Sequence, residues 1–256
     1  MRQWWGRRSA RCGVPRTRRG LHVSRAAQTR LTIAATSAAI GAFVLVGCSS
    51  TVTGTAEPTA GGTTASQPGT DLNTLLIDPA SFPAPYDALV LPQQAISQAA
   101  PDLSGIPAGA EVSPAGCKPA DQDFGPTGTA MIVGTDNDSR STISIELTAV
   151  DQPLSARKEQ LEQCGEVTAT KSGATSTVTS TLTPAPPIDA DDTLAVRQTV
   201  SSGTGGDAVT QSMLTLMAQV DGVRISATFM SFGSATPDAM TLDELFTAAV
   251  QKVNQS

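Results

Sequence analysis

Residues 209–232 read VTQSMLTLMAQVDGVRISATFMSF, two runs rich in apolar and β-branched residues that meet at Asp221-Gly222. Both turn residues tolerate positive φ, so Asp-Gly between two such runs is a strong signal for a two-residue hairpin turn. In the second run, apolar and polar residues alternate from Val223 to Phe229, as expected for a half-buried strand. The stretch therefore predicts a pair of antiparallel strands.

An amphipathic helix is predicted after this hairpin, at the end of the chain. The segment from Thr241 to Glu244 has the pattern of a capping box, with Met240 and Leu245 placed for a hydrophobic staple. Apolar residues then recur at helical spacing and form one stripe, made of Leu242, Leu245, Phe246, Ala249, Val250 and Val253. Such a stripe needs the apolar face of a sheet to cover.

The segments before the hairpin alternate in the same way. Strands are predicted over residues 129–134, 142–150, 167–171, 175–183 and 194–200. The first two are joined by a hairpin turn at Asp136-Asn137-Asp138-Ser139, whose Asx side chains favour a turn. A calcium loop is disfavoured there, because the sixth and twelfth positions of such a loop are Ser141 and Leu147.

A second main helix is predicted over residues 154–164, opened by Pro153 and ended by Gly165, with a charged face of Arg157, Lys158, Glu159 and Glu162. Residues 92–100 suggest a short helix, whereas the Pro- and Gly-rich residues 101–126 are expected to be irregular. The predicted fold class is α+β: a largely antiparallel sheet with two main helices packed on one face.

Charge divides the chain near position 48. The part before this position has nine basic residues and no acid. The part after it has all 23 acids and only eight Lys or Arg. Residues 31–47 are uncharged and are followed by Cys48. The sequence Leu45-Val46-Gly47-Cys48 resembles the bacterial lipobox. That resemblance implies lipid on the Cys48 thiol and cleavage between Gly47 and Cys48.

Several alternatives to this interpretation of the leader stay open. An uncleaved signal anchor with an incidental cysteine is the first. The long stretch before residue 31 fits a twin-arginine signal around Arg18-Arg19, a general export signal, or a true start near Val23. Export in any of these forms would place the rest of the chain at the extracytoplasmic face of the cell membrane.

The predicted domain organisation has three parts. Residues 1–47 form a lipoprotein signal peptide, and residues 48–70 form the lipidated cysteine and a flexible Thr/Gly/Ser/Pro tether. Residues 71–256 form a single α+β extracytoplasmic domain. The threonines of the tether would suit O-linked sugar, but a plain spacer is the favoured explanation.

Two cysteines remain in the exported domain, Cys117 and Cys164. An even pair in an oxidising compartment predicts a disulfide bond. Two free redox thiols are the alternative, but the pair lacks a C-x-x-C spacing and a basic neighbour.

Composition excludes several kinds of function. The only histidine, His22, and both tryptophans lie in the leader, so the mature part has no imidazole for Ser–His–Asp or Cys–His catalysis. No metal site, cofactor or catalytic residue is predicted, and the protein is not expected to be an enzyme. A net charge near −15 after position 48 repels phosphate backbones, so no nucleic-acid partner is expected.

A family resemblance appears once these features are assembled. The resemblance lies in residues 75–79, Phe82-Pro83, Cys117 and Leu161-Glu162-Gln163-Cys164. These segments resemble a family of unknown function among the small lipoproteins of mycobacteria and other actinobacteria. The layout is also similar to the disulfide-bonded extracellular sensor domains of receptor serine/threonine kinases. The resemblance implies an envelope protein that binds or senses.

The function predicted is a membrane-anchored, non-enzymatic binding or sensing module of the cell envelope, whose partner is an envelope protein or a lipid. The alternative is a lipid or glycolipid carrier with an apolar cavity. A cavity lined by Met213, Met217, Phe229 and Leu245 would favour the carrier.

Overall fold

The hairpin at Asp221-Gly222 lies at the centre of the fold. The computed structural model describes residues 69–203, 208–233 and 235–256, and in it both turn residues have positive φ, 45° at Asp221 and 80° at Gly222. Val220 pairs with Val223 across the turn, and the pairing extends outward to Gln211 and Phe232. The predicted hairpin is confirmed.

The described residues form nine strands and three α-helices. The strands are β1 Asp87–Val90, β2 Glu111–Ser113, β3 Thr129–Asp136, β4 Ser141–Ala149, β5 Glu166–Lys171, β6 Ala174–Thr183, β7 Asp192–Ser202, β8 Val209–Val220 and β9 Val223–Phe232. The helices are α1 Gln93–Ser104, α2 Leu154–Gln163 and α3 Ala239–Asn254, with short 3-10 turns at Leu72–Leu75, Pro79–Ser81 and Ala115–Cys117. The strands build one antiparallel sheet in the order β1-β3-β4-β9-β8-β7-β6-β5-β2. The α+β class is confirmed.

One face of the central strands is covered by α3, and we call it the α3 face. Ile132, Ile145, Ala227 and Leu216 follow one another across β3, β4, β9 and β8 on this face. They pack against the predicted stripe of α3, every member of which is buried. This apolar contact is the largest part of the core.

The opposite face is covered by α1 and α2, and we call it the α1/α2 face. Met217 of β8 and Leu194 of β7 pack there with Leu154 and Leu161 of α2, while Met131 of β3 packs with α1. The two main helices thus lie on opposite faces, where the sequence analysis places them on one. The reason lies in β8, which is apolar on both of its sides and therefore needs cover on both.

The start of α3 differs from the prediction. Its N-cap is Asp238, whose Oδ1 accepts a hydrogen bond from the Thr241 N–H at 3.2 Å, so the helix begins three residues earlier than a cap at Thr241 would require. Met240 is 73% exposed and forms no staple. Asp after Pro237 is a strong helix start by itself, because its short carboxylate reaches the free N–H groups of the first turn.

Two strands and part of a helix were not predicted. Strands β1 and β2 are the two edges of the sheet, and each pairs on one side only over three or four residues. Helix α1 runs past Pro101 to Ser104, because Leu103 still contacts the apolar cluster beneath it. Short edge strands lack the alternation over several residues that reveals a strand in a sequence.

The part of the α3 face that α3 does not reach is polar. On β6, Thr175, Thr177, Thr179, Thr181 and Thr183 alternate along the strand on this side, and three of them are exposed. Here the sheet meets water directly, as antiparallel sheets commonly do on one side.

Some predictions fall on residues that the structure does not describe. They are the signal peptide 1–47, the lipobox residues Gly47 and Cys48, and the tether apart from its last two residues. All described residues belong to one compact unit, Gly62–Ser256. Within them, no helix has the length and apolar character needed to cross a membrane.

Replacement of Gly134 tests the packing of the first edge strand. Gly134 of β3 lies under Phe82, and an added Cβ would come within 2.8 Å of the ring atom Cε1 and within 3.2 Å of the Tyr86 Cβ. Gly134→Ala should therefore lower the free energy of unfolding by about 1–3 kcal/mol, the usual cost of overpacking. Urea denaturation measures this. Gly116→Ala is the control, since its Cβ would contact nothing within 4 Å; equal midpoints for the two variants would contradict the packing described.

Candidate functional site

A pocket of about 230 Å³ lies on the α1/α2 face, between the end of α1 and strands β5 to β8. We call it the α1 pocket. Its floor is apolar, with Ala169 and Val200 buried at the bottom. Its rim carries polar groups: Asp102, Lys171, Ser176, Ser202 and Gln211.

The wall of this pocket depends on Gly105, which ends α1 in the left-handed conformation with φ 71°. Its N–H donates to the Asp102 carbonyl at 3.1 Å and closes the helix. A Cβ at Gly105 would come within 2.5 Å of Val200 Cγ2, so only glycine lets the helix end approach the sheet this closely. This site is not predicted from the sequence, because the Pro- and Gly-rich residues 101–126 favour an irregular segment.

The rim of the pocket carries one acidic and one basic residue, Asp102 and Lys171. Partial burial leaves the charged carboxylate of Asp102 less well solvated than in water, and this raises its pKa. Lys171 and the hydroxyl groups of Ser176 and Ser202 supply hydrogen-bond donors around the same opening. An apolar floor with a few polar groups at the rim is the usual composition of a small-molecule site.

The disulfide stabilises the region next to the pocket. Cys117 and Cys164 are bonded, with their Cα atoms 5.6 Å apart, as the sequence analysis predicts. The pair packs in one apolar cluster with Val167, Val178 and the pocket residue Val200. Closing a loop of 47 residues is worth about 4 kcal/mol in the chain-entropy model.

A second polar group on the α1/α2 face surrounds Glu146 of β4. The Gln122 amide donates to Glu146 Oε1 at 2.5 Å and also contacts Thr129 Oγ1 at 3.1 Å. Burial raises the pKa of Glu146, while the hydrogen bond from Gln122 and the positive charge of Arg224 act in the opposite direction. The loop that carries Gln122 thus covers a carboxylate within the sheet face.

Two acidic residues outside the pocket have structural roles. Asp136 Oδ1 accepts from the Asp138 N–H at 3.0 Å, which is the predicted Asx turn. Asp191 Oδ2 accepts from the Asp221 N–H at 3.0 Å and supports the central hairpin. In the described part of the chain, no group of three or more His, Cys, Asp or Glu side chains is placed to hold a metal ion.

The four residues named for a lipid cavity do not meet. Met213 and Met217 pack on the α1/α2 face, whereas Phe229 and Leu245 belong to the core of the α3 face. None of them lines the α1 pocket. The arrangement that would favour a carrier is therefore not present among these residues.

Burial of Glu146 predicts a dependence of stability on pH. The pKa of Glu146 in the folded state lies above its ordinary value near 4.5, so the folded state binds more protons than the unfolded chain between the two values. Stability should therefore fall as the pH rises through that interval. Glu146→Gln cannot ionise and should lack this fall.

Urea denaturation between pH 4 and 8 measures the difference between the two proteins. Glu159→Gln, on the exposed side of α2, controls for the loss of a surface charge. Parallel stability profiles for wild type and Glu146→Gln would contradict the burial of this carboxylate.

Seven solved chains are similar to this chain, among them two mycobacterial proteins. An uncharacterised protein of Mycobacterium smegmatis, the Rv0999 ortholog, is 19% identical with a TM-score of 0.41, over 68% of this chain and 92% of that one. The extracellular domain of PknH from Mycobacterium tuberculosis is 13% identical with a TM-score of 0.46, over 72% of this chain and 95% of that one. A search of curated proteins gives no match.

Both neighbours are mycobacterial proteins, and one of them is an extracellular domain. The resemblance to a family of unknown function is confirmed. The family of the chain is defined by its sequence. Residues 79–254 match the domain of unknown function DUF5642, and the chain belongs to that family.

Proposed function

We propose that the protein is a non-enzymatic binding or sensing module, anchored by lipid at the extracytoplasmic face of the cell membrane. Its ligand is a small molecule that occupies the α1 pocket. The observation that carries this proposal is the pocket itself, with its apolar floor at Val200 and Ala169 and its polar rim.

The leader of the chain supports this localisation. The uncharged segment 31–47 ends at a lipobox-like sequence, and a diacylglycerol group on Cys48 with a further acyl chain on its amine would anchor the protein stably. The Thr/Gly-rich tether would then separate the domain from the lipid surface. The disulfide between Cys117 and Cys164 suits an oxidising compartment.

Binding is favoured over catalysis by the placement of the acids. Asp102 lies at the rim of the α1 pocket, whereas Glu146 lies elsewhere on the sheet and is hydrogen-bonded by Gln122. The two carboxylates with raised pKa values therefore do not share a cleft, as acid–base catalysis by a carboxylate pair requires.

Filling the α1 pocket with a large side chain tests whether a ligand binds there. Ser176→Trp places a large ring in the α1 pocket, while Thr179→Trp places the same ring on the exposed opposite side of the same strand. Native mass spectrometry of detergent-extracted protein from its own host should show a bound small molecule on wild type and Thr179→Trp, and none on Ser176→Trp. The proposal fails if wild type carries no small molecule or if Ser176→Trp retains it.

The anchor is tested separately with Cys48→Ser. Wild type should begin at Cys48 and carry the mass of acyl chains, and it should sediment with membranes. The variant should lose the acyl mass and leave the membrane fraction, because one thiol accepts the lipid. A Cys48→Ser protein that stays membrane-bound with unaltered processing would contradict the anchor.

A further inference from the structure

Arg157 occupies an unexpected position on α2. Arg157 is predicted on the charged face of the helix, but it lies three residues after Leu154 and four before Leu161, on the side that faces the sheet. Its Nη1 donates to Gln160 Oε1 at 2.5 Å. The pKa of Arg157 is lowered by burial and, secondarily, by the positive charge of Arg224.

Arg224 approaches the same place from the sheet. It belongs to β9 on the α1/α2 face, opposite Thr148 on one neighbouring strand and Gln219 on the other. Its Nη2 donates to the Gln152 carbonyl at 3.2 Å, but its buried Nε has no acceptor. Polar atoms in this state are uncommon in protein interiors and call for a partner.

The charges here do not balance. Among the described residues, the one ion pair within 4.0 Å joins Lys118 and Asp121, so neither arginine contacts a carboxylate. Glu146 attracts Arg224 across the sheet face, but its carboxylate is bonded to Gln122. In the described part of the chain, Glu146 is the carboxylate that acts on Arg224, and none is found to act on Arg157, although the domain is strongly acidic.

We infer that Arg157 and Arg224 form a binding site for a small oxyanion, a carboxylate or a phosphate group. The planar guanidinium offers two parallel N–H donors that match the oxygens of either group, and an anion would offset the cost of bringing two like charges together. Both residues are half-buried, so part of each remains at the surface, although the Arg224 Nε itself is buried. The site is separate from the α1 pocket, since Gln219 and Gln211 are about 26 Å apart along β8 at about 3.3 Å per residue.

Thermal unfolding of the full-length processed protein in detergent tests this site. Inorganic phosphate is titrated at constant ionic strength against chloride, and acetate is titrated in a second series to distinguish phosphate from carboxylate binding. A specific anion should raise the unfolding temperature by a few degrees, roughly the shift expected for a ligand well above its Kd. Wild type should respond to at least one of the two anions.

The variants decide whether the response comes from this site. Arg157→Met should abolish it, and the fold should survive because Met extends the apolar stripe of α2. Arg157→Lys keeps the charge without the planar fork and should bind about tenfold more weakly. Arg197→Gln removes an exposed arginine on the opposite face and should respond like wild type, as should Ser176→Trp in the α1 pocket.

Two outcomes would overturn the inference. One is a wild-type unfolding temperature that neither phosphate nor acetate changes. The other is an equal rise in wild type and Arg157→Met, which would be a general salt effect. Neither outcome bears on the α1 pocket, whose ligand is detected by mass and not by anion response.

Discussion

The central strands of the sheet are apolar on both faces, and the rest of the structure follows from the need to cover both. On β8, Leu214 and Ala218 point to one side while Met213 and Met217 point to the other, and all four are buried. Burial of apolar surface is the dominant favourable contribution to folding, so an open side would be costly. Helix α3 covers one side, and α1 and α2 together cover the other.

The two faces of the sheet are covered by different helices, and the candidate sites lie on the face covered by α1 and α2. Helix α3 presents an unbroken apolar stripe and leaves a dry core beneath it. The shorter α1 and α2 leave the sheet between them lined by polar residues, among them Ser144, Thr215 and Thr228, with the hydroxyl groups of the last two 3.0 Å apart. The α1 pocket and the arginine pair both lie on this face.

The features that sequence reasoning predicts correctly are local ones. The Asp221-Gly222 turn, the stripe of α3 and the cysteine pair each depend on residue types at short, fixed spacings. The α1 pocket was not predicted, because it requires the end of α1 and four strands distant in sequence to meet. Arg157 was misplaced because a charged residue on a short helix is normally solvated, and only the tertiary structure shows which side is buried.

The placement of the two main helices shows the same limit. The sequence marks each helix by its own pattern, but the choice of face depends on which strands are adjacent. Strand β4 pairs with β9 rather than with its successor β5, and α2 crosses between them on the other side of the sheet. No short stretch of sequence contains that pairing.

The shortness of the two edge strands has a consequence for how copies of this protein behave when crowded. β1 offers four residues and lies between Pro85 and Pro92, while β2 offers three and is followed at once by Pro114. Proline has no N–H to extend a ladder, so a neighbouring polypeptide finds almost no backbone to pair with at either end. Sideways growth into fibres is therefore blocked at both margins of a sheet that is otherwise wide enough to support it.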